Sequence, residues 1–299
     1  MPLAVMLRSA ARNLSDSFTL HAYVVDDAIG DENRERILES LPANTAVTWL
    51  EPSRQRFENL PLWGRMPVTT YYKMGIAELL PPEIEKVIWL DCDMLVLDDL
   101  CDLLTEASLA YTLAAQDTLV PYVASKFGVA GAFDLGLDPK LNYFNAGMMV
   151  IDTLRWRADR VADRATEYLR KYSNRVFFWD QEALNAVLAG EWSLAPARWN
   201  WSATNDRTGL NSRKTDGDWL PSIIHFNGNI KPWTVANNDR ASGLWLSYLD
   251  ETPWRDRRPK RTVSGMLLSW YSTSNLRRIT YPAEQWRMQI TRRLTQHYV

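Results

Sequence analysis

Two aspartates one residue apart, Asp91 and Asp93, stand in the segment VIWLDCDMLVLDDL. The apolar run before them, VIWL, predicts a short buried strand at 87–90 that ends at Asp91. Side chains alternate along an extended chain, so both carboxylates are expected on one side and Cys92 on the other. Ligands of open α/β sheets gather at the carboxyl ends of strands. Two carboxylates there repel each other unless a cation lies between them. Carboxylate oxygens favour magnesium or manganese, and such an ion can neutralise a diphosphate. Standing alone, Asp-x-Asp also fits solvated loop residues or helix caps; the preceding strand is what makes it a candidate site. A phosphohydrolase with a nucleophilic first aspartate is a second reading. That motif wants Thr or Val at its fifth position, where this chain carries Leu95.

Three further clusters offer groups that suit such an ion and its ligand. YFNAGMMVID, residues 143–152, sets Asn145, Ala146 and Gly147 just before an apolar run. Small residues let a ligand approach the backbone, and the Asn145 amide offers both a donor and an acceptor; the same tripeptide also reads as a plain turn. WDQEALNAVL places Asp180 and Gln181 at a helix start. Asp180 suits an N-cap there, which leaves Gln181 unexplained. HFNGNIKPW, residues 225–233, follows the apolar run SIIHF. A lone histidine on such a strand fits a structural role, but beside Gly228 and Lys231 it reads as a metal ligand next to a phosphate grip.

These groups need a frame. Helix and strand patterns alternate through the first 230 residues, as in a sheet sandwiched by helices. Strands are predicted at 19–25, 87–90, 147–151 and 222–226. Helices are predicted at 31–40, with Asp31 as cap, and at 69–80, stopped by Pro81 and Pro82. Another begins at Asp152, with Leu154, Val161, Ala165 and Leu169 on its apolar side, and a further one spans 180–188, closed by Gly190. Cys92 is expected as a small buried hydrophobe. Two cysteines without a CxxC pair exclude a disulfide framework or a zinc knuckle.

In this order, DxD, FNAG, DQ and HFxGxxKPW resemble the retaining glycosyltransferases of family eight, which include glycogenin and bacterial lipopolysaccharide galactosyl- and glucosyltransferases. The resemblance runs from about residue 2 to 233, with a looser match beyond. It implies a single Rossmann-like α/β domain of glycosyltransferase type A with a mixed, mainly parallel sheet. It implies that Asp91, Asp93 and His225 hold manganese, with magnesium as the alternative, and that Asp91 also lies near the donor ribose. Gly228 and Lys231 would contact the donor diphosphate, and Lys231 would stabilise the leaving group. Lys73 would face the donor. Asn145, Asp180 and Gln181 would line the sugar pocket beside Ala146 and Gly147. Asp117 would touch the donor sugar or the acceptor. The implied donor is UDP-glucose or UDP-galactose, and the implied acceptor is a saccharide or lipid-linked glycan. Retention by double displacement needs a carboxylate nucleophile. The matching residue is Gln181, a poor nucleophile, so front-face attack is expected, with Asp180 as the fallback nucleophile.

One departure stands out. The chain opens with PLAVMLRSAA, which resembles the helix after the family's first strand. The first strand and its base-gripping loop are therefore expected to be absent, through a late start codon or in a protein with impaired donor binding. A non-catalytic nucleotide-sugar binder is the competing reading.

Hydrophobic residues make up 46% and charged residues 23% of the 299, which suits a sizeable core and excludes a disordered chain. No apolar run is long enough to span a bilayer. The opening run MPLAVML ends at Arg8, whereas a signal peptide carries its charge first. A cytoplasmic location follows as the expectation, and no nucleic-acid partner is expected. Beyond residue 250 nine arginines and one lysine face three acidic residues, a net +7, so the first 250 residues carry −9 of the total −2. This divides the chain into a 1–250 catalytic body and a 251–299 basic aromatic extension. The extension suits an anionic surface, such as the inner membrane face, or a polyanionic acceptor. A lipid-surface scaffold is a third reading, resting on that extension alone.

Overall fold

A computed structural model describes residues 1–63, 66–106, 110–203, 221–228, 230–236 and 239–260, with Thr262 and Gly265. Helix α1 (Pro2–Arg12) starts with proline, whose missing N–H costs nothing at a helix N-terminus. Strand β1 (His21–Val25) follows, then α2 (Asp31–Glu39) and β2 (Ala46–Leu50), which pairs with β1 in parallel. Asp31 is the first residue of α2, and Gly30 occupies its cap position.

The predicted helix at 69–80 is instead a 3₁₀ segment, Val68–Gly75, followed by the short α3 (Ile76–Leu79). Gly75 and the prolines at 81 and 82 leave little room for a full α-helix.

Strand β3 (Lys86–Leu90) is the VIWL run, and β4 (Met94–Val96) lies just beyond the two aspartates. Next come α4 (Leu100–Glu106), β5 (Thr112–Gln116) and β6 (Phe144–Asp152). β6 is the centre of one sheet, antiparallel to both β3 and β5. It begins earlier than predicted, so Asn145, Ala146 and Gly147 lie within the strand and not in a turn before it.

Asp152 caps the next helix, accepting from the Arg155 N–H. That helix is two: α5 (Thr153–Ala158) and α6 (Val161–Lys171), broken at Arg160, whose φ is 50°. Leu154 falls on the first piece and is 49% exposed, outside the apolar face expected of it. Then come α7 (Trp179–Val187), β7 (Ser193–Leu194), β8 (Trp201–Ser202), β9 (Ile223–His225) and α8 (Arg240–Leu249).

β5 pairs β7 and β8 pairs β9 in parallel, while β4 pairs β9 antiparallel, so the sheet system is mixed. Two cores lie on opposite faces. Val87 and Trp89 face the one that holds α6 and α7, whereas Ile88 and Leu90 face the one that holds α1 and α8. Strand β1 divides the same way, with Tyr23 and Val25 on the first core and Ala22 and Val24 on the second. β1 and β3 thus belong to one layer. Among the described residues, the edge of β1 away from β2 and the edge of β3 away from β6 pair with no strand.

The chain beyond Asp250 starts out packed on this body. Glu251 pairs with Arg8, Arg36 donates to the Pro253 carbonyl at 2.8 Å, and Trp254 is buried with α1 and α8. Arg255, Arg257, Arg258 and Lys260 are exposed. Arg261 and the stretch 266–299, with Trp270, Trp286 and the later arginines, lie outside the described residues. Among the described residues no helix is long and apolar enough to cross a membrane.

Candidate active site

Strand pairing assembles the acidic pair with the histidine. Asp91 follows β3, and its N–H donates to the Gly147 carbonyl of β6 at 2.9 Å. The chain then turns through Cys92, so the aspartates sit on a turn between β3 and β4 and not on a continuing strand. Cys92 is exposed, not buried, because it is the outer residue of that turn. The β4–β9 ladder sets Met94 opposite His225, and the Phe226 N–H bonds the Asp93 carbonyl at 2.9 Å. Ligand atoms of Asp91, Asp93 and His225 lie within 4.8 Å of one another.

Residues behind the histidine fix its orientation. Asn145 donates from Nδ2 to Asp117 Oδ2 at 2.8 Å and accepts the Gly147 N–H on Oδ1 at 3.0 Å, so its orientation is fixed. Asn200 donates to that same Oδ1 at 3.0 Å, which turns its own Oδ1 toward His225 Nδ1 at 2.9 Å. Nδ1 is thereby taken up by an amide oxygen, which leaves Nε2 to face the acidic pair, 3.3 Å from Asp93 Oδ1. The two carboxylates suit manganese or magnesium, and the imidazole nitrogen favours a transition-metal ion over magnesium.

Gly147 serves this arrangement in a way the sequence did not reveal. A Cβ there would lie 2.4 Å from His225 Cε1 and 2.9 Å from Met94 Cε, so the missing side chain makes room for the histidine ring, not for a ligand. Gly147→Ala should displace the ring and weaken manganese binding roughly 10–100-fold, the usual cost of disturbing a ligand's support. Isothermal titration with manganese checks this; an unchanged affinity would contradict it.

Two lysines balance the carboxylates. Lys73, 6% exposed on the 3₁₀ segment, reaches Asp91 Oδ1 at 3.0 Å, Asp180 Oδ2 at 3.1 Å and the Ala146 carbonyl at 3.2 Å. Burial alone would lower its pKa, but Asp180 and Asp91 outweigh it and hold the ammonium above the usual lysine range. Burial pushes the Asp180 carboxyl up, against the opposing effects of Lys73 and Thr70. Asp180 is thus a buried, ion-paired residue on the first turn of α7 and not its cap, which is Phe178. Lys231 donates to Asp93 Oδ2 and to the Phe226 carbonyl. Burial would raise the Asp93 carboxyl, yet His225 and Lys231 together hold it well below the usual carboxylate range. Gly228 lies in the turn between His225 and Lys231, partly exposed.

Gln181 is fixed at both ends of its amide. Its Oε1 accepts the Ala146 N–H at 3.1 Å, and its Nε2 donates to Asp117 Oδ2 at 3.1 Å. Asp117 Oδ1 takes the Leu119 and Val120 N–H groups. One polar chain therefore runs from His225 through Asn200, Asn145 and Asp117 to Gln181. Asn200, Thr70 and Trp89, whose Nε1 donates to Asp91 Oδ1 at 2.9 Å, were not anticipated from sequence. Nothing in their local patterns marks them, since each matters only through a partner distant in the chain or folded against it.

The family model described as glycosyl transferase family 8 matches residues 1–236. The chain belongs to glycosyl transferase family 8. Among its family 8 relatives and related proteins, general stress protein A of Bacillus subtilis is 27% identical over 84% of this chain and 90% of its own length. The lipopolysaccharide 1,2-glucosyltransferase of Escherichia coli is 23% identical over 82% of this chain and 73% of its own. The galactosyltransferase LgtC, solved in complex with donor and acceptor sugar analogues, superposes with a TM-score of 0.73 at 22% identity. It covers 86% of this chain and 95% of LgtC. The fold is that of a type A glycosyltransferase, and the coarse activity of the family is glycosyl transfer.

Proposed function

We propose that this chain moves a hexose from a UDP-sugar, UDP-glucose or UDP-galactose, to a hydroxyl of a glycan or lipid-linked acceptor. The reaction is manganese-dependent, with magnesium as the alternative ion, and retains the anomeric configuration. The observation that carries the reading is the convergence of Asp91, Asp93 and His225 within 4.8 Å, next to a tethered Gln181. A divalent ion held by the three supplies charge neutralisation to a departing diphosphate.

The chain's own groups do the rest. Lys231, on the Asp93 side, contributes a cation where negative charge grows on the leaving group. Asp91 would also lie near the donor ribose, and the Gly228 segment would let the diphosphate approach the backbone. Asp117, Asn145 and Gln181 form the wall of the sugar pocket, and the Gln181 carboxamide stabilises positive charge near the anomeric carbon. Asp180 is occupied by Lys73 and Thr70, which favours front-face attack over a covalent intermediate. In that step the acceptor oxygen bonds to the anomeric carbon as the bond to the phosphate oxygen breaks. The acceptor's proton passes to the departing phosphate. A panel of donors and saccharides, with products identified by mass spectrometry, tests the substrates. Release of a nucleoside diphosphate without a glycosylated product from any acceptor would count against the transferase reading.

Lys231→Ala should lower kcat on the order of 100-fold while raising the donor KM less, because its charge is needed most in the transition state. A change confined to KM would make Lys231 a binding residue only.

A nucleotide-sugar binder without catalysis is the second reading, favoured by the edges of β1 and β3 that pair with no strand among the described residues. A thermal shift with UDP-sugar and no turnover would support it.

The exposed Arg255, Arg257, Arg258 and Lys260 begin the basic extension, consistent with a lipid-linked acceptor at the cytoplasmic face of a membrane. Each such residue near an anionic surface contributes about 1 kcal/mol. The whole chain should therefore pellet with anionic liposomes at low salt, and a chain ending at Asp250 should pellet less. Equal pelleting, or binding insensitive to salt, would contradict this.

A further inference from the structure

Three consecutive side chains open α7 and point three ways, as the 100° step of a helix requires. Asp180 meets Lys73 and Thr70, and Gln181 meets Asp117 and Ala146. Glu182 turns away from both into the protein and is 0% exposed. The mechanism above gives this buried carboxylate nothing to do.

Its partners are specific. Glu182 Oε2 accepts the N–H groups of Phe177 at 2.6 Å and Phe178 at 3.2 Å, the two residues that lead into the helix. Oε1 accepts the Ala130 N–H at 3.0 Å and the Tyr168 hydroxyl at 2.8 Å. One carboxylate thus serves three backbone donors and one hydroxyl, and joins α7, α6 and the loop that contains Ala130. Buried N–H groups need such acceptors.

The segment it holds is strained. Trp179, between Phe178 and Asp180, has φ of 38°, a conformation that L residues with bulky side chains rarely adopt. Strain of this kind persists only where surrounding contacts impose it. No side chain caps α7 at Phe178, so Glu182 reaches back to do that work from inside the helix. The turn at Trp179 sets the direction in which Asp180 and Gln181 leave the helix.

We propose that Glu182 is a positioning residue, whose carboxylate imposes the left-handed turn at Trp179 and thereby aims Gln181 at the sugar and Asp180 at Lys73. The inference rests on the reading of Gln181 as a sugar-pocket residue. Replacing the carboxylate by an amide keeps the size but sets an NH₂ group against N–H donors whichever way it faces. The turn then relaxes, while Asp91 and Asp93 on the β3–β4 turn, His225 on β9 and Lys231 beyond it lie outside α7 and keep their geometry.

The test is steady-state release of UDP from UDP-glucose or UDP-galactose with manganese, in the full chain, for five variants. Glu182→Gln should lower kcat at least 30-fold, with the donor KM and the manganese affinity within threefold of the wild type. Glu182→Asp, which keeps the charge, should recover part of the loss. Trp179→Gly/Glu182→Gln should turn over at least fivefold faster than Glu182→Gln, because glycine adopts positive φ without strain. Trp179→Gly alone is the reference for that comparison. A purely structural role predicts a lower melting temperature with unchanged kcat per folded molecule and no rescue by glycine; that result would overturn the proposal. If Glu182→Gln fails to fold, Glu182→Asp decides, with a kcat within threefold of wild type counting against. Gln181→Ala separates the two readings. Normal turnover in that variant removes the sugar-pocket reading itself, whereas a slow Gln181→Ala beside a normal Glu182→Gln removes only the positioning role.

Discussion

Asp91→Asn and Asp93→Asn should each lower turnover at least 100-fold, about 3 kcal/mol of transition-state stabilisation. The two carboxylates supply most of the negative charge in the donor set, and asparagine offers only a neutral oxygen to an ion that prefers charged ones. The two substitutions should differ in what else they disturb. Asp93 is hydrogen-bonded to Lys231 and faces His225 Nε2, so its loss also releases Lys231. Asp91 accepts from Trp89 and Lys73, so its loss leaves Lys73 with Asp180 alone. Both variants should bind manganese more weakly in titration. Wild-type turnover in either variant would mean that the cluster is not the site of chemistry.

The largest effect on stability is expected at Lys73. Its ammonium lies between two carboxylates, and Asp180 is only 5% exposed. Lys73→Met would leave them facing each other with no cation between, and removing one partner from a buried ion pair costs about 3–5 kcal/mol. Asp180→Asn in the same chain should return part of that loss by removing one of the stranded charges, a coupling that a double-mutant cycle measures. The lysine's pKa is raised in the fold, so its contribution is fully present below the ordinary lysine range and is lost only as pH rises through the raised value. The destabilisation should therefore be constant across neutral pH. Urea unfolding checks both points, and a loss below about 1 kcal/mol would show that the pair contributes little.

The placement of the candidate site was legible where it depended on local pattern. VIWL followed by Asp91 and Asp93, and SIIH ending at His225, are short apolar runs that suit strands; the second is buried while VIWL is only half-buried, and the polar residues at their ends meet where β4 pairs with β9. Where the pattern depended on contact between distant segments, it was silent. Nothing in ARWN marks Asn200 as the residue that takes up His225 Nδ1. Glu182 could be seen in WDQEALN, but its inward direction depends on the turn at Trp179. Gly147 was read as space for a ligand, because a sequence cannot say that the neighbour filling the space is His225 from another strand. The break between α5 and α6 was missed for a related reason: Arg160 carries no glycine or proline signal for its positive φ.

Release of UDP from UDP-glucose or UDP-galactose by the full chain, with manganese and then with excess EDTA, tests the central claim most directly. Release should require manganese, return when the ion is restored, and be accompanied by transfer of the hexose when a suitable acceptor is added. Release unaffected by EDTA would contradict the assignment of Asp91, Asp93 and His225 as a catalytic metal site.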